Sequence, residues 1–343
     1  MSDILVQTEE AFGKAPPPRR QRGGGAVRYV LMKIGGGLIS LGLVIVLGFL
    51  LFRALPGDPV QTMTRGRPAT AEQLAALAAK HGYDRPLHEQ FFKFVGDLLH
   101  GNLGTSNYFN VPVSDLILGR LGPTLLLVGI ATLIAVALGL WLGTRAAWRR
   151  GSTFDRVSTS IALTLWSTPT FWLGMLLLAL VSGAFPAGGM VDPSTSPDFF
   201  SQAVDIGYHL VLPVITLVAV VYAQYQLVMR SSLLEEMGAD YLNTARAKGL
   251  REDLVRRRHA VPNALLPTVT LVFLHLGMVI AGAVTTETVF SWPGLGLLTY
   301  DAIFHNDLPL LQGTFIVLAG AVITMNVLAD VLYRFLDPRV RAS

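Results

Sequence analysis

Four polar side chains stand inside long apolar runs of this 343-residue chain and could do chemistry there: Tyr222, Gln226, His275 and Glu287. A phenol, an amide, an imidazole and a carboxylate at membrane depth are costly unless they face protein or water. They mark a solute path or a packing contact. An intramembrane enzyme would need acids, bases or a nucleophile converging within the spans. Glu287, His275 and Asp330 instead stand far apart, at different expected depths. Plain hydration near a span end accounts for Glu287, and Asp330 stands about one turn from Tyr333 and Arg334, which suits an intrahelical pair. The chain has no cysteine, which excludes disulfides and thiolate sites. Its seven histidines show no HExxH or paired spacing, so no bound metal is expected. No phosphate loop of the form GxxxxGK followed by Ser or Thr occurs, so the chain is not expected to bind ATP.

A second stretch carries chemistry of another kind. Asp240 to Pro267 reads DYLNTARAKGLREDLVRRRHAVPNALLP, polar and strongly basic between two apolar runs. Tyr241 to Lys248 forms a short helix, and Gly249 permits a sharp turn because glycine tolerates positive φ. A second basic helix then ends at Pro262 and Pro267, on the edge of the next apolar run. One reading is an ordinary solvated basic loop. The other is a rigid projection gripped by a soluble partner, with Thr244, Ala245 and Ala247 supplying small surfaces. Arg251 and Arg256 to Arg258 would then hold the next helix at the anionic leaflet. The residues alone leave both readings open.

The elements that must position these groups follow from composition. The chain is 52% hydrophobic and 15% charged, against about 25% charged in a soluble domain. The deficit sits in six charge-free windows, 34–52, 121–144, 157–191, 206–229, 260–286 and 308–329. A bilayer core takes ~20 apolar helical residues, whereas a soluble core needs runs of only ~4–8. The fold class is therefore all-α: a polytopic membrane protein with six transmembrane helices. With the N-terminus in the cytoplasm, cytoplasmic segments hold 20 of the 27 Lys and Arg, and the short external loops 183–206 and 291–307 hold none. This is the positive-inside pattern, so the pI of 9.4 reflects topology and not nucleic-acid binding. Both termini are expected in the cytoplasm.

Along the chain, 1–27 reads as a disordered cytoplasmic tail, 28–53 as the first transmembrane helix, 54–120 as an external segment, and 121–341 as a five-helix core containing the loop 240–262. The first span is too long for a cleaved signal peptide. In the external segment, 69–80 is helical by propensity, 87–99 lies on the membrane or packs on the spans, and 101–104 is a turn. Gly139 and Gly143 make a small-xxx-small pair for close helix approach. Pro169, within Ser-Thr-Pro-Thr, frees a carbonyl in the third span; it is either a structural kink or part of the solute path. No internal repeat with paired broken helices, as in many secondary transporters, is visible.

The basic stretch resembles the EAA loop of importer permeases of the ATP-binding-cassette class. There the pattern is EAA, three residues, Gly, nine residues, then apolar-x-Leu-Pro. Here Asn243-Thr244-Ala245 takes the EAA place, Gly249 the glycine, and His259-Ala260-Val261-Pro262 the end, with His for the apolar residue and Val for Leu. Short matches extend over about 28 to 341: 54–60, Tyr-Asp-Arg-Pro-Leu at 83–87, Gly-Asn-Leu-Gly-Thr-Ser at 101–106, 112–113, 244–249, Ser-Trp-Pro-Gly-Leu-Gly at 291–296, Asn-Asp-Leu-Pro at 306–309 and 336–340. Together they are similar to the first transmembrane subunit of the dipeptide, oligopeptide and nickel permease family. The resemblance implies a bacterial inner-membrane heterodimer with a second related permease. It further implies two cytoplasmic ABC ATPases that use ATP and Mg²⁺, and an external binding protein delivering cargo. This chain itself would bind no cofactor and perform no catalysis. Tyr241, Asn243, Thr244, Ala245, Ala247, Lys248, Gly249 and Pro262 would couple to the ATPases. Tyr222, Gln226, His275 and Glu287 are considered for the translocation path. Peptides are the expected cargo; nickel chelates, glutathione-like peptides and oligosaccharides are the alternatives.

Overall fold

The computed structural model describes residues 24–54, 60, 69–181 and 183–336; side chains at 24–26, 80–81, 270, 273–282 and 333–336 fall outside the description. Most of the expected 1–27 tail, the 54–60 motif and the 336–340 motif thus lie outside the described residues. Among those described there are twelve α-helices: α1 Gly24–Ala54, α2 Ala71–His81, α3 Leu87–Leu99, α4 Val113–Trp148, α5 Thr153–Trp166, α6 Thr170–Leu180, α7 Phe199–Glu236, α8 Asp240–Ala247, α9 Glu252–Val255, α10 Val261–Val289, α11 Leu295–Phe304 and α12 Leu308–Leu336. Helix satisfies each backbone group within its own segment, which lipid demands. By length and composition α1, α4, α7 and α12 can cross a bilayer, and α5 with α6 makes a fifth crossing if the bent pair is one span. The six apolar runs fall one each on α1, α4, α5–α6, α7, α10 and α12.

Two boundaries differ from the sequence reading. α4 begins at Val113, behind Pro112, so residues 113–120 belong to a 36-residue helix that tolerates Pro123 in its interior. The third apolar run is broken outright, with α5 and α6 meeting at 103°. The cause is local. Pro169 has no N–H to continue the ladder. The Ser167 and Thr168 amides close the last turn on Leu163 O and Leu165 O (3.1 Å each), and their hydroxyls add bonds of their own, Ser167 Oγ to Leu163 O (2.9 Å) and Thr168 Oγ1 to Thr164 O (2.8 Å). With its last turn closed in this way, α5 stops and α6 restarts in a new direction.

The most extensive helix pairing is α4 with α7. The small-xxx-small pair makes it possible. A Cβ added at Gly139 would lie 2.6 Å from Tyr225 Cβ, and one at Gly143 would lie 2.5 Å from the Gln226 carbonyl oxygen. The backbones touch because nothing stands between them. The apolar core of Leu127, Ala131, Ala135, Leu217, Ala223 and Tyr225 grows from this seam. α1 stands at the side, with Leu38, Ile39, Leu43 and Leu47 exposed, as a lipid-facing surface requires. It is tied to α12 by Lys33 Nζ to Asp330 Oδ2 at 2.8 Å. Asp330 thus pairs across helices; the expected partners within its own helix, Tyr333 and Arg334, have side chains outside the described residues. α3 packs on α1, Phe49 meeting Phe91 and Phe94 at 5.3 and 5.7 Å between ring centroids.

Candidate functional site

α8 is built as a small platform with an apolar underside. Leu242 and Ala245 point inward and are buried with Ala147, Met229, Leu233, Val255, Ala260 and Ala264. That cluster joins the ends of α4 and α7 to α9 and the start of α10. Asn243, Thr244, Ala247 and Lys248 are exposed. Of the eight residues singled out in this loop, Ala245 is the one the structure turns away from solvent. It anchors the platform and offers no surface to another molecule. The helix ends where the amides of Lys248 and Gly249 bond Thr244 O and Arg246 O, and Gly249 adopts φ +77°, the left-handed conformation glycine favours. The Tyr241 hydroxyl donates to the Glu236 carboxylate and accepts from Asn263 Nδ2 at 2.9 Å, pinning α8 to the end of α7 and the start of α10.

The basic stretch beyond Gly249 does not end at its prolines. α9, a π-helical turn over Arg256–Ala260, and α10 run on without interruption. Pro262 is exposed and directly follows the π-helical turn, in which the Val261 amide bonds Arg256 O five residues back, and Pro267 lies inside the helix. Two of the arginines expected at the leaflet are used within the protein. Arg256 pairs with Asp253 and lies over the Trp148 ring, and Arg257 Nε is 3.2 Å from Asp253 Oδ2.

The four polar residues of the apolar runs are not brought together into one constellation. Glu287 is fully buried, not hydrated. Its carboxylate accepts from Thr124 Oγ1 (2.7 Å), from the Gly296 amide (2.6 Å) and from the Leu297 amide (3.3 Å). It thereby caps the N-terminus of α11 and locks it to α4. The Trp292 indole completes the lock by donating to Pro123 O at 2.9 Å. Tyr222 is buried and borders an apolar cavity of 410 Å³ with Leu142, Phe154, Val157 and Ile161. Gln226 is 0% exposed, and neither amide atom has a hydrogen-bond partner among the described residues. The His275 side chain lies outside the described residues. Among the described residues no cluster of three or more His, Asp or Glu could hold a metal ion.

Three polar contacts were not visible from the sequence. Arg230 closes a fork on Asp155, Nε to Oδ1 at 2.6 Å and Nη2 to Oδ2 at 2.9 Å, joining the α4–α5 turn to α7. Ser106 Oγ donates to Asp307 Oδ2 at 2.5 Å, and the Tyr108 amide to the same oxygen at 3.0 Å, while Asp307 Oδ1 caps α12 through the Leu310 amide. The short motifs at 101–106 and 306–309 are therefore two halves of one junction. The third contact is the Lys33–Asp330 pair. Only spacing within one helix is readable from a single sequence, and each of these contacts spans distant segments.

Comparison with known proteins now bears on this arrangement. The family model described as "Binding-protein-dependent transport system inner membrane component" matches residues 104–342, and a model for the N-terminal part of such membrane components matches 26–127. The chain is 37% identical over 335 residues to the dipeptide transport system permease protein DppB of Escherichia coli (strain K12), covering 92% of this chain and 99% of that protein. It is 35% identical over 318 residues to the oligopeptide transport system permease protein AppB of Bacillus subtilis (strain 168), covering 92% and 98%. Similarity to the glutathione transport system permease protein GsiC of Salmonella choleraesuis (strain SC-B67) is 36% over 315 residues, covering 92% and 99%.

Proposed function

The chain belongs to the inner membrane components of binding-protein-dependent transport systems, and we propose from that membership that it is the first of two related permease subunits in an ATP-driven importer of di- or oligopeptides. It is a multi-pass permease and works with a binding protein and an ATPase. In the finer reading the chain crosses the bacterial inner membrane six times, α10 and the bent α5–α6 pair each counting once, with both termini in the cytoplasm. The concentration of Lys and Arg at the α8 end supports that orientation. Two ABC ATPases, which bind ATP and Mg²⁺, engage the cytoplasmic face. The second permease completes the pore, and the external binding protein delivers cargo to the opposite end.

The observation that carries the coupling part is α8 itself. An eight-residue helix presents Asn243, Thr244, Ala247 and Lys248 outward on an apolar base fixed to three membrane helices. Small outward residues admit close packing by a partner, and a rigid base passes displacement inward instead of absorbing it. ATP binding then shifts an inward/outward equilibrium by the ATPases' differential affinity for the two states. Tyr222, Gln226 and His275 remain the candidates for the path, Gln226 first, because a buried amide without a partner calls for one in another conformation, while Glu287, its carboxylate taken by three donors, is assigned to packing. Peptide cargo is supported by the names of the relatives. Nickel chelates, glutathione-like peptides and oligosaccharides are the alternative.

Cells lacking the chain, and the same cells complemented with it, test the cargo through uptake of a labelled dipeptide. The expected result is uptake restored by complementation and competed by unlabelled di- and tripeptides. Competition by a nickel chelate, glutathione or an oligosaccharide, with none by other peptides, would replace the peptide reading.

A further inference from the structure

We propose that the Asp155–Arg230 ion pair is the link through which movement of α8 reaches the bent third span, and that both residues are positioning residues for transport. The inference rests on the reading of α8 as the ATPase contact. α7 runs as one 38-residue helix from Phe199 to Glu236, and only Met237, Gly238 and Ala239 separate it from α8. Displacement of α8 therefore acts directly on the α7 end that carries Arg230. On the other side of the pair, Asp155 lies in the first turn of α5, and its side chain is only 5% exposed. Its Oδ2 also accepts from the Gly151 amide at 2.9 Å, and Ser152 Oγ caps the helix by accepting from the Asp155 amide at 3.2 Å. The carboxylate thus fixes the α4–α5 turn and the start of α5 as one unit and holds that unit to Arg230.

Why this pair should transmit motion as well as stabilise follows from what lies beyond it. α5 is the helix that ends at the 103° break. A helix interrupted at a proline is the kind of joint that can change angle, whereas α4 and α7 are held together by backbone contact at Gly139 and Gly143 and by a shared apolar core. α4 and α7 then move together, and α5 follows through the fork. A planar guanidinium with two parallel bonds to one carboxylate resists both rotation and shear, which a single point contact does not.

The test uses the complete transporter in liposomes, with binding protein, labelled dipeptide and ATP, and reads peptide taken up per ATP hydrolysed. Asp155→Asn, Arg230→Met, the double variant and Arg230→Lys are compared with wild type, and Gly249→Val serves as the reference for the α8 reading. The expected result is a ratio reduced roughly 5-fold or more in Asp155→Asn and Arg230→Met. The double variant should fall no further, and Arg230→Lys, which keeps the charge without the fork, should be intermediate. Thermal midpoints of the purified complexes are read alongside. Lower midpoints with an unchanged ratio make the pair merely structural and overturn the proposal, as does additive loss in the double variant. If Gly249→Val uncouples while the pair variants do not, the pair inference alone fails. If Gly249→Val also keeps the wild-type ratio, the reading of α8 fails and takes this proposal with it. A variant that does not assemble is replaced by Asp155→Glu, which keeps the charge but misplaces the fork, with an intermediate reduction expected, as for Arg230→Lys, and an unchanged ratio counting against the proposal.

Discussion

Glu287 separates packing from transport at the level of single atoms. Three donors converge on its carboxylate in a site without solvent. Removing the acceptor orphans them, at about 1–3 kcal/mol for each buried group left unpaired. Glu287→Ala should therefore lower the thermal midpoint of the purified complex clearly, with Glu287→Gln less severe because one amide oxygen still accepts. Folded protein should retain dipeptide uptake. Uptake lost at an unchanged midpoint would return Glu287 to the translocation path. Gly143 gives a companion case. Gly143→Leu drives a side chain into the Gln226 carbonyl and Met229, and overpacking of this kind costs about 1–3 kcal/mol or more, so the yield of assembled complex should drop.

At the scale of elements, α8 has two faces that substitutions can address one at a time. Thr244→Trp, on the exposed face, should leave assembly intact and abolish uptake. Ala245→Trp, on the buried face, should prevent assembly, and equal behaviour of the two would contradict the geometry. Gly249→Val forces a β-branched residue into φ +77°, where even an unbranched L-residue costs about 1–2 kcal/mol. It should block uptake while insertion persists. Much of this element was legible beforehand. The basic composition marked the loop, Gly249 marked its turn, and the helix expected over Tyr241 to Lys248 lies one residue earlier, at Asp240–Ala247. The inward direction of Ala245 was not legible, because a helix of eight residues has several possible buried faces and only the partners choose among them. Likewise Pro169 announced a defect in the third span. That the defect opens to 103° was not legible, because a proline in a span leaves the choice between kink and break to the packing around it. The run from α9 into α10 was missed for a related reason: proline was read as a stop, whereas a π-helical turn precedes Pro262 and the helix carries on through both prolines.

For the whole molecule, the apolar runs carried the all-helical membrane architecture, since lipid leaves helices few alternatives. The contacts that lock it were invisible: Asp155 and Arg230 lie 75 residues apart, and Ser106 and Asp307 lie 201 apart. A chain with no cysteine of its own makes the topology directly testable. A cysteine placed at Ser194 should react with a membrane-impermeant thiol reagent from outside, and one at Lys248 only after the membrane is opened. Labelling of both from the same side would overturn the six-span reading. Purified alone, the chain should hydrolyse no ATP.

The most direct test of the central claim, that α8 is where the ATPase engages this permease, is site-specific cross-linking of the assembled transporter. With Thr244→Cys in this subunit and cysteines introduced along the exposed surface of the ATPase, the account predicts a cross-linked permease–ATPase pair. Its yield should change when ATP is added, and Asn110→Cys at the opposite end should give none. No cross-link from Thr244, Ala247 or Lys248 to the ATPase, in a complex that still imports peptide, would contradict it.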